Sequence, residues 1–244
     1  MRKEDGRLIL IIFKMIKDFF KIKKHKFYIK GVGEFIPPEE VIEPALKGPK
    51  WFASLCPFVG KNKRAIDRYP KPITKTAQSC PGMLELFKNS FLIKFPCDLI
   101  LETQTTGKYS WQKPSETKVL SVSHQTDEQI EFNQPLSSLI MIKFSLPFIF
   151  QAPKNKVTLL EPTYWKNQPY KIAPGVFNFT KDKDPIALNV ITLFEKKNKI
   201  YEFKKGEPMV LYYTLHQSTL ELNENLKESF VRKNLGRTFS HRWS

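Results

Sequence analysis

Histidines are the first residues to consider for metal binding, and this chain has four: His25, His124, His216 and His241. A jelly-roll iron oxygenase needs two histidines and a carboxylate, with a His-x-Asp/Glu pair on one face of a strand. His124 is followed by Asp127, three residues later, which does not reproduce that spacing. His216 could supply a distal ligand, whereas His25 and His241 lie in peripheral segments. We therefore disfavour a metal oxygenase and expect His124 in a loop and His216 at a strand end.

Cysteine chemistry is equally sparse. The chain has Cys56, Cys80 and Cys97, which stand in Cys-Pro, Cys-Pro and Cys-Asp pairs, and it has no Cys-x-x-Cys motif. An odd, low count is typical of a reducing compartment, where thiols pack as small apolar groups. Cys56 and Cys80 could approach each other to form a disulfide or bind metal, but no histidine lies near them in sequence. We predict no metal site and no cofactor.

The signatures of nucleophilic and nucleotide-dependent enzymes are missing from the sequence. There is no Gly-x-Ser-x-Gly elbow, no phosphate-binding Gly-x-x-x-x-Gly-Lys-Ser/Thr and no Gly-x-Gly-x-x-Gly among only ten glycines. Most acids stand in turn sequences or beside lysines, where a solvated surface charge is the ordinary outcome. Glu161 and Glu207 precede prolines, and we expect them to end strands. We therefore predict no catalytic residues and a non-enzymatic role.

Basic residues interleaved with aromatic ones occur near both ends of the chain, whose formal net charge is +16. Such segments can contact phosphates or an acidic protein, although lysines on the wet face of an ordinary sheet give the same pattern. An A/T-rich genome would also enrich lysine without selection for binding. The residues that we predict to bind a partner in this way are Lys21, Lys23, Lys24, Lys26, Arg237 and Arg242.

Tryptophan is the second type of residue that could hold a partner, because its large ring anchors many protein interfaces. Of the four tryptophans in the chain, we single out Trp51, Trp165 and Trp243 as candidate anchors. Packing in the hydrophobic core is the alternative use of the same side chains.

Short apolar segments separated by turn residues dominate the sequence after Ser90. Their spacing, together with an apolar content of 41% and 20 phenylalanines, predicts a folded, mainly β chain. We expect an antiparallel β-sandwich or jelly roll with a few peripheral helices. The predicted strands are Phe91–Phe95, Asp98–Glu102, Gln129–Phe132, Leu139–Phe144, Val157–Leu160, Tyr170–Ile172, Val176–Phe179, Ala187–Phe194 and Met209–Leu215.

We divide the chain into a basic amino-terminal segment (1–34), a β-sandwich domain (35–217) and a carboxy-terminal helix with a basic tail (218–244). Prolines recur between residues 35 and 81, which predicts an extended segment that wraps over the domain before a helix at Pro81–Ser90. A capping-box match at Ser218–Glu221 predicts a second helix, which ends near Leu235.

The amino-terminal segment has two interpretations. Partial alternation of apolar and basic residues up to Lys30 indicates a half-buried strand, whereas the spacing over residues 7–24 also fits an amphipathic helix. The apolar run Leu8–Phe13 is too short to span a bilayer, and no small-residue cleavage site follows it. We predict no transmembrane segment and no secretion.

Several stretches resemble an uncharacterised family that recurs in tailed-phage genomes, especially those of marine cyanobacterial phages. The residues that carry the resemblance are Pro49–Phe52, Thr76–Pro81, Phe91–Leu101, Pro147–Phe150 and Phe203–Leu211. The resemblance covers about residues 35–225 and rests on packing and turn motifs. It implies a viral origin and a virion-associated role, and it supplies no catalytic residues.

Our leading hypothesis is a non-enzymatic phage structural or accessory protein that acts through protein–protein contacts in the virion or the host cytoplasm. Its expected partners are neighbouring virion proteins or further copies of itself. One alternative is a jelly-roll enzyme or ligand-binding protein with an unrecognised site. Another is a basic protein that binds nucleic acid or takes over a host factor.

Overall fold

A computed structural model gives the fold of the chain. It describes residues 25–32, 36–55, 76–113, 119–124, 138–180 and 184–226. Strands far outnumber helices in these ranges, and most strand pairs are antiparallel, so the predicted mainly β fold is confirmed. The predicted Gln129–Phe132 strand, the alternative 7–24 helix and the whole basic tail fall outside the described residues.

The described ranges contain fourteen strands and three helices. The strands are β1 His25–Gly31, β2 Ile42–Pro44, β3 Ser90–Lys94, β4 Leu99–Thr103, β5 Tyr109–Gln112, β6 Ser121–His124, β7 Leu139–Gln151, β8 Lys156–Leu160, β9 Lys171–Ile172, β10 Val176–Asn178, β11 Ile186–Glu195, β12 Lys199–Phe203, β13 Pro208–Thr214 and β14 Ser218–Leu222. The helices are α1 Pro38–Val41, α2 Lys50–Ala53 and α3 Pro81–Lys88, and a 3-10 turn covers Ala77–Ser79.

The strands form three sheets. A six-stranded sheet has the order β14-β1-β7-β11-β9, and β6 also pairs with β7. The long strand β7 can accept both β1 and β6 because they pair with different parts of its length. A five-stranded sheet has the order β10-β8-β13-β3-β2, and a three-stranded sheet has the order β12-β4-β5. The pairing of β1 with β14 is parallel.

One large apolar core is shared by all three sheets. Strand β7 shows how this core forms. Successive side chains of a strand point to opposite faces of the sheet, and the even-numbered residues of β7 from Ile140 to Phe150 all face the core. Phe27 of the six-stranded sheet stacks on Phe91 of the five-stranded sheet with ring centroids 4.5 Å apart. Full burial of each such ring stabilises the fold by about 1.5–3 kcal/mol. The phenylalanine-rich composition is therefore used to join the two sheets of a sandwich.

Tyrosine hydroxyls add directional contacts across this core. Tyr212 of β13 is fully buried, and its hydroxyl donates a hydrogen bond of 2.9 Å to the carbonyl oxygen of Asn189 in β11. Tyr170 stands directly before β9 of the six-stranded sheet. Its hydroxyl donates to the carbonyl oxygen of Met209 in β13 of the five-stranded sheet, also at 2.9 Å. Each hydroxyl thus satisfies its own hydrogen-bonding need while it links the two larger sheets.

The predicted helix at Ser218 is wrong over its first residues. Ser218–Leu222 forms β14, which pairs in parallel with β1 in the register His25 to Ser218. Leu220 packs against the main core, and pairing with β1 satisfies backbone groups that a helix would satisfy internally. The local capping-box match is therefore overridden by a strand nearly two hundred residues earlier. The remainder of the predicted helix, after Leu226, lies outside the described residues.

Pro147 marks a second difference from the prediction, because it lies inside β7, beyond the predicted strand end at Phe144. The register between β7 and β11 shifts between Ala187 and Asn189, where the irregular stretch faces Pro147. A bulge of this kind tolerates a residue that lacks a backbone N–H. The predicted strand Leu139–Phe144 consequently continues to Gln151.

The other strand predictions within the described ranges are confirmed, with ends that differ by no more than one residue. The alternation up to Lys30 also gives the predicted strand, with Phe27 and Ile29 buried and Lys26 outside. Besides β14, four strands were not predicted: β2, β5, β6 and β12. Because β6 ends at His124, that histidine lies in a strand and not in the expected loop. Among the helices of the described residues, none has the length and apolar character needed to cross a membrane.

Candidate functional site

The outer face of the five-stranded sheet carries a second, smaller apolar cluster. Leu92 of β3 and Leu211 of β13 point away from the main core and pack together with Ala45. Alternation along the strands requires this arrangement, because their neighbours Phe91 and Tyr212 face inward. The outer leucines must be covered by other parts of the chain.

Two short helices bring aromatic rings over this face. Phe52 of α2 meets Phe87 of α3 edge to face, with centroids 4.8 Å apart. The chain enters α2 through Gly48, whose φ is +63° and whose position leaves no room for a side chain: a Cβ there would lie 2.8 Å from Phe87. Glycine is thus required both by the backbone conformation and by the approach of the rings.

The turn that follows β8 completes the cover. Tyr164 and Trp165 both pack against Phe87, with centroid distances of 5.8 Å and 5.3 Å. Backbone hydrogen bonds from Trp165 and Lys166 to the carbonyl oxygen of Pro162 hold this turn in shape. We call the five rings Trp51, Phe52, Phe87, Tyr164 and Trp165 the aromatic cluster.

Two rings of the aromatic cluster face the solvent. Trp51 is 44% exposed and Tyr164 is 40% exposed, although both are large apolar residues. The indole N–H of Trp51 donates a hydrogen bond of 2.7 Å to the carbonyl oxygen of Tyr164. This contact fixes the orientation of the exposed indole, so that an aromatic surface is held ready before any partner binds.

A groove with a volume of about 550 Å³ runs beside Tyr164. Its walls are mainly apolar and include Leu86, Leu160 and Ile172, while Glu161 supplies a carboxylate. The groove and the exposed rings together form a continuous surface that can accept apolar side chains.

Exposed lysines stand beside the aromatic cluster in sequence and in space. Lys47 and Lys50 flank the turn that leads into α2, and both are exposed. Within the part of the chain that the structure covers, neither is paired with an acidic side chain. Their charges remain available to an acidic partner.

The predicted aromatic anchors separate into different roles. Trp51 lies in the aromatic cluster with its ring partly exposed, as an anchor requires. Trp165 lies in the same cluster but is half-buried and packs against the Leu92 and Leu211 group, so it supports the surface from beneath. Trp243 lies outside the described residues. Sequence reasoning missed Tyr164, whose only signal was its place beside Trp165 in a proline-bounded turn.

Among the predicted basic residues, only Lys26 falls in the described ranges. It is exposed and forms an ion pair with Glu221 of the neighbouring strand, at 3.0 Å. The hydrogen bond and the charge of Glu221 raise the pKa of Lys26 above its usual value. Its charge is therefore already balanced within the sheet. The residues Lys21, Lys23, Lys24, Arg237 and Arg242 lie outside the described residues.

The candidate metal ligands are not brought together as an iron site would need. His124 lies beside Tyr109 with centroids 5.7 Å apart, whereas His216 lies beside His25. Across the described ranges, no three His, Cys, Asp or Glu side chains are grouped closely enough to hold a metal ion.

The two described cysteines differ in burial. Cys97 is buried in the main core, as expected for a thiol that packs as an apolar group. Cys80, directly before α3, is exposed, which contradicts that expectation. Proline at the first position of α3 ends the preceding turn there and leaves the Cys80 side chain outside the helix packing. Cys56 lies outside the described residues.

Comparison with known proteins adds no relative: no protein-family model, curated protein or solved structure matches this chain.

Proposed function

We propose that the chain is a non-enzymatic, virion-associated phage protein that binds a neighbouring virion protein through its aromatic cluster. The observation that carries this proposal is the exposed indole of Trp51, held in one orientation by its hydrogen bond to Tyr164. The viral context rests on the resemblance of the sequence to a tailed-phage family.

The energetic case follows from the types of residue involved. Trp and Tyr bury a large area on binding and lose little conformational entropy, and they dominate the binding energy of many interfaces. The rings of the aromatic cluster rest on the five-stranded sheet through Phe87 and Trp165. A partner that covers Trp51 and Tyr164 would not have to order them first.

The chemistry of the surface also indicates the kind of partner. Lys47 and Lys50 supply positive charge beside the exposed ring of Trp51, and the apolar groove begins at Tyr164 of the same cluster. We expect the partner to present an extended segment that combines apolar side chains, which enter the groove, with Asp or Glu, which meet the lysines.

The test is complementation of phage that lack the gene, followed by quantitative mass spectrometry of purified particles. Wild-type chain should be present in a fixed ratio to the major particle protein. The double variant Trp51→Ala/Tyr164→Ala should fall at least about tenfold in that ratio, since a lost anchor costs about 1.4 kcal/mol or more. The matched control is Trp111→Ala, which removes an exposed tryptophan from the three-stranded sheet.

A second variant separates binding from folding. Lys47→Glu/Lys50→Glu leaves the rings in place but reverses the local charge, and it should also lower incorporation. Thermal melting of each purified variant checks that the fold is intact. Absence of the wild-type chain from particles would refute the virion role, and normal incorporation of both folded variants would refute the role of the aromatic cluster.

A further inference from the structure

We infer that His25 and His216 form a binding site for a divalent transition-metal ion such as Zn²⁺ or Ni²⁺. Their imidazole rings lie side by side, with centroids 5.1 Å apart and planes tilted by 31°. His25 opens β1, and His216 stands in the short connection between β13 and β14. The parallel pairing of β1 with β14 is what brings them together.

The backbone around this pair is firmly held. The N–H of His25 donates to the carbonyl oxygen of Gln217 at 2.9 Å. Asn155, which is fully buried, binds His216 twice: its Oδ1 accepts from the His216 N–H at 3.1 Å, and its Nδ2 donates to the His216 carbonyl oxygen at 3.0 Å. Thr214 Oγ1 donates to the same carbonyl oxygen at 2.8 Å. A buried asparagine therefore positions a histidine that is itself exposed.

The separation of the rings suits a shared ion. Two imidazole nitrogens at about 2.0–2.1 Å from Zn²⁺ in a tetrahedral arrangement place the ring centroids roughly 5 Å apart. The observed 5.1 Å agrees with that value. Imidazole is a preferred ligand for zinc, nickel and copper.

The cavity beside the pair has polar walls. The rings border a cavity of about 360 Å³ whose walls also include Glu85 and Asn89. Asn89 is 1% exposed, its Nδ2 donates to Glu85 at 2.7 Å, and its buried Oδ1 has no hydrogen-bond partner among the described residues. Within the described part of the chain, no third His, Cys, Asp or Glu joins the pair in a group that could hold a metal ion, so the site offers two protein ligands. This is a two-histidine site of moderate affinity and not a closed structural zinc site.

Positively charged side chains surround the histidine pair. Burial, followed by the proximity of His216 and of Lys154, lowers the pKa of His25. Lys88 of α3 also borders the cavity, so the positive charges limit affinity and Glu85 offsets them in part.

Calorimetric titration of metal-stripped, full-length protein with ZnCl₂ and with NiCl₂ tests the inference. Wild-type protein should bind one ion, and His25→Gln and His216→Gln should each weaken binding by at least about tenfold, because each removes one of two protein ligands. The variant His124→Gln, which changes a histidine elsewhere in the same sheet, should bind as wild type does.

Zinc should also raise the Tm of the wild-type chain, because the ion joins β1 to the β13–β14 connection in the folded state alone. The Tm of a folded His216→Gln variant should not respond. Lack of binding by wild type would overturn the inference. So would binding that survives both substitutions, or binding that is lost with His124→Gln or His241→Gln instead.

Discussion

Trp51 and Tyr164 are separated by 113 positions in the sequence, and the indole N–H of one donates to the carbonyl oxygen of the other at 2.7 Å. The contact joins α2, from the proline-rich segment, to the turn that follows β8. The hydrogen bond holds two exposed rings, one from a helix and one from a turn, in a single surface over the five-stranded sheet. The proposed partner-binding role depends on this junction more than on either ring alone.

Replacement of Trp51 by Phe should barely affect folding. The variant loses one hydrogen bond at a partly exposed position, and we expect the free energy of unfolding to fall by less than about 1 kcal/mol. Urea unfolding followed by circular dichroism measures the change, with Trp111→Phe as control. A loss above about 3 kcal/mol would mean that Trp51 serves mainly to hold the fold together.

Gly48→Ala should damage the aromatic cluster severely. The new Cβ would clash with Phe87 at 2.8 Å in a backbone conformation that disfavours side chains, and we expect a loss of about 2–4 kcal/mol. Gly206→Ala is the matched control, because Gly206 has a φ of +82° but no atom near its Cβ position. It should cost only about 1 kcal/mol. Equal costs in denaturant unfolding would show that close packing of Phe87 does not require Gly48.

Tyr212→Phe isolates the hydrogen bond that crosses the sandwich. The ring remains in the core, while the hydroxyl that donates to the carbonyl oxygen of Asn189 is lost. The free energy of unfolding should fall by about 1–2 kcal/mol, because the carbonyl oxygen of Asn189 loses a donor in a partly buried position. Tyr213→Phe alters the next residue, on the opposite face of β13, and should change stability much less. If the free energy of unfolding measured by urea titration is unchanged in Tyr212→Phe, this hydrogen bond does not stabilise the sandwich.

Lys143→Met should stabilise the fold at neutral pH. Lys143 lies in the middle of β7, and burial lowers its pKa below the ordinary value of 10.5. Its neighbours in register, Ser123 and Ile191, cannot balance the charge. Below the folded-state pKa both states are protonated, so the full cost of burying the ammonium is present at pH 7.

That cost disappears as pH rises through the folded-state pKa towards 10.5, because the folded lysine then releases its proton before the unfolded one does. The gain from Lys143→Met should therefore be about 1 kcal/mol at pH 7 and should shrink in alkaline buffer. Thermal melts of the variant and the wild type at pH 7 and in alkaline buffer measure this gain. The control is Lys108→Met, because Lys108 is exposed. A gain that grows with pH would contradict the assigned cause.

Much of the sandwich could be predicted from the sequence because alternation of buried and exposed residues is a local property of each strand. The even-numbered residues of β7 reveal their inward face without knowledge of any partner. Strand β14 could not be predicted in this way. Ser218 and Glu221 have the spacing of a helix start, and only the distant strand β1 decides against it.

The arrangement of residues in the candidate sites could be predicted from the sequence even less than strand β14 could. Trp51 and Trp165 could be singled out by residue type, but their common contact with the Phe52–Phe87 pair follows from how two loops cross one sheet. The same holds for His25 and His216, which meet only because β1 and β14 run in parallel. Such junctions leave no periodic signal in a single sequence.

Photo-crosslinking inside assembled particles tests the central claim most directly. A photoreactive phenylalanine analogue at position 51 should crosslink to a segment of another virion protein that combines apolar residues with Asp or Glu. The same analogue at position 111, on the three-stranded sheet, should give no such product. Crosslinks from position 111 alone, or none from position 51 in particles that contain the chain, would contradict the account.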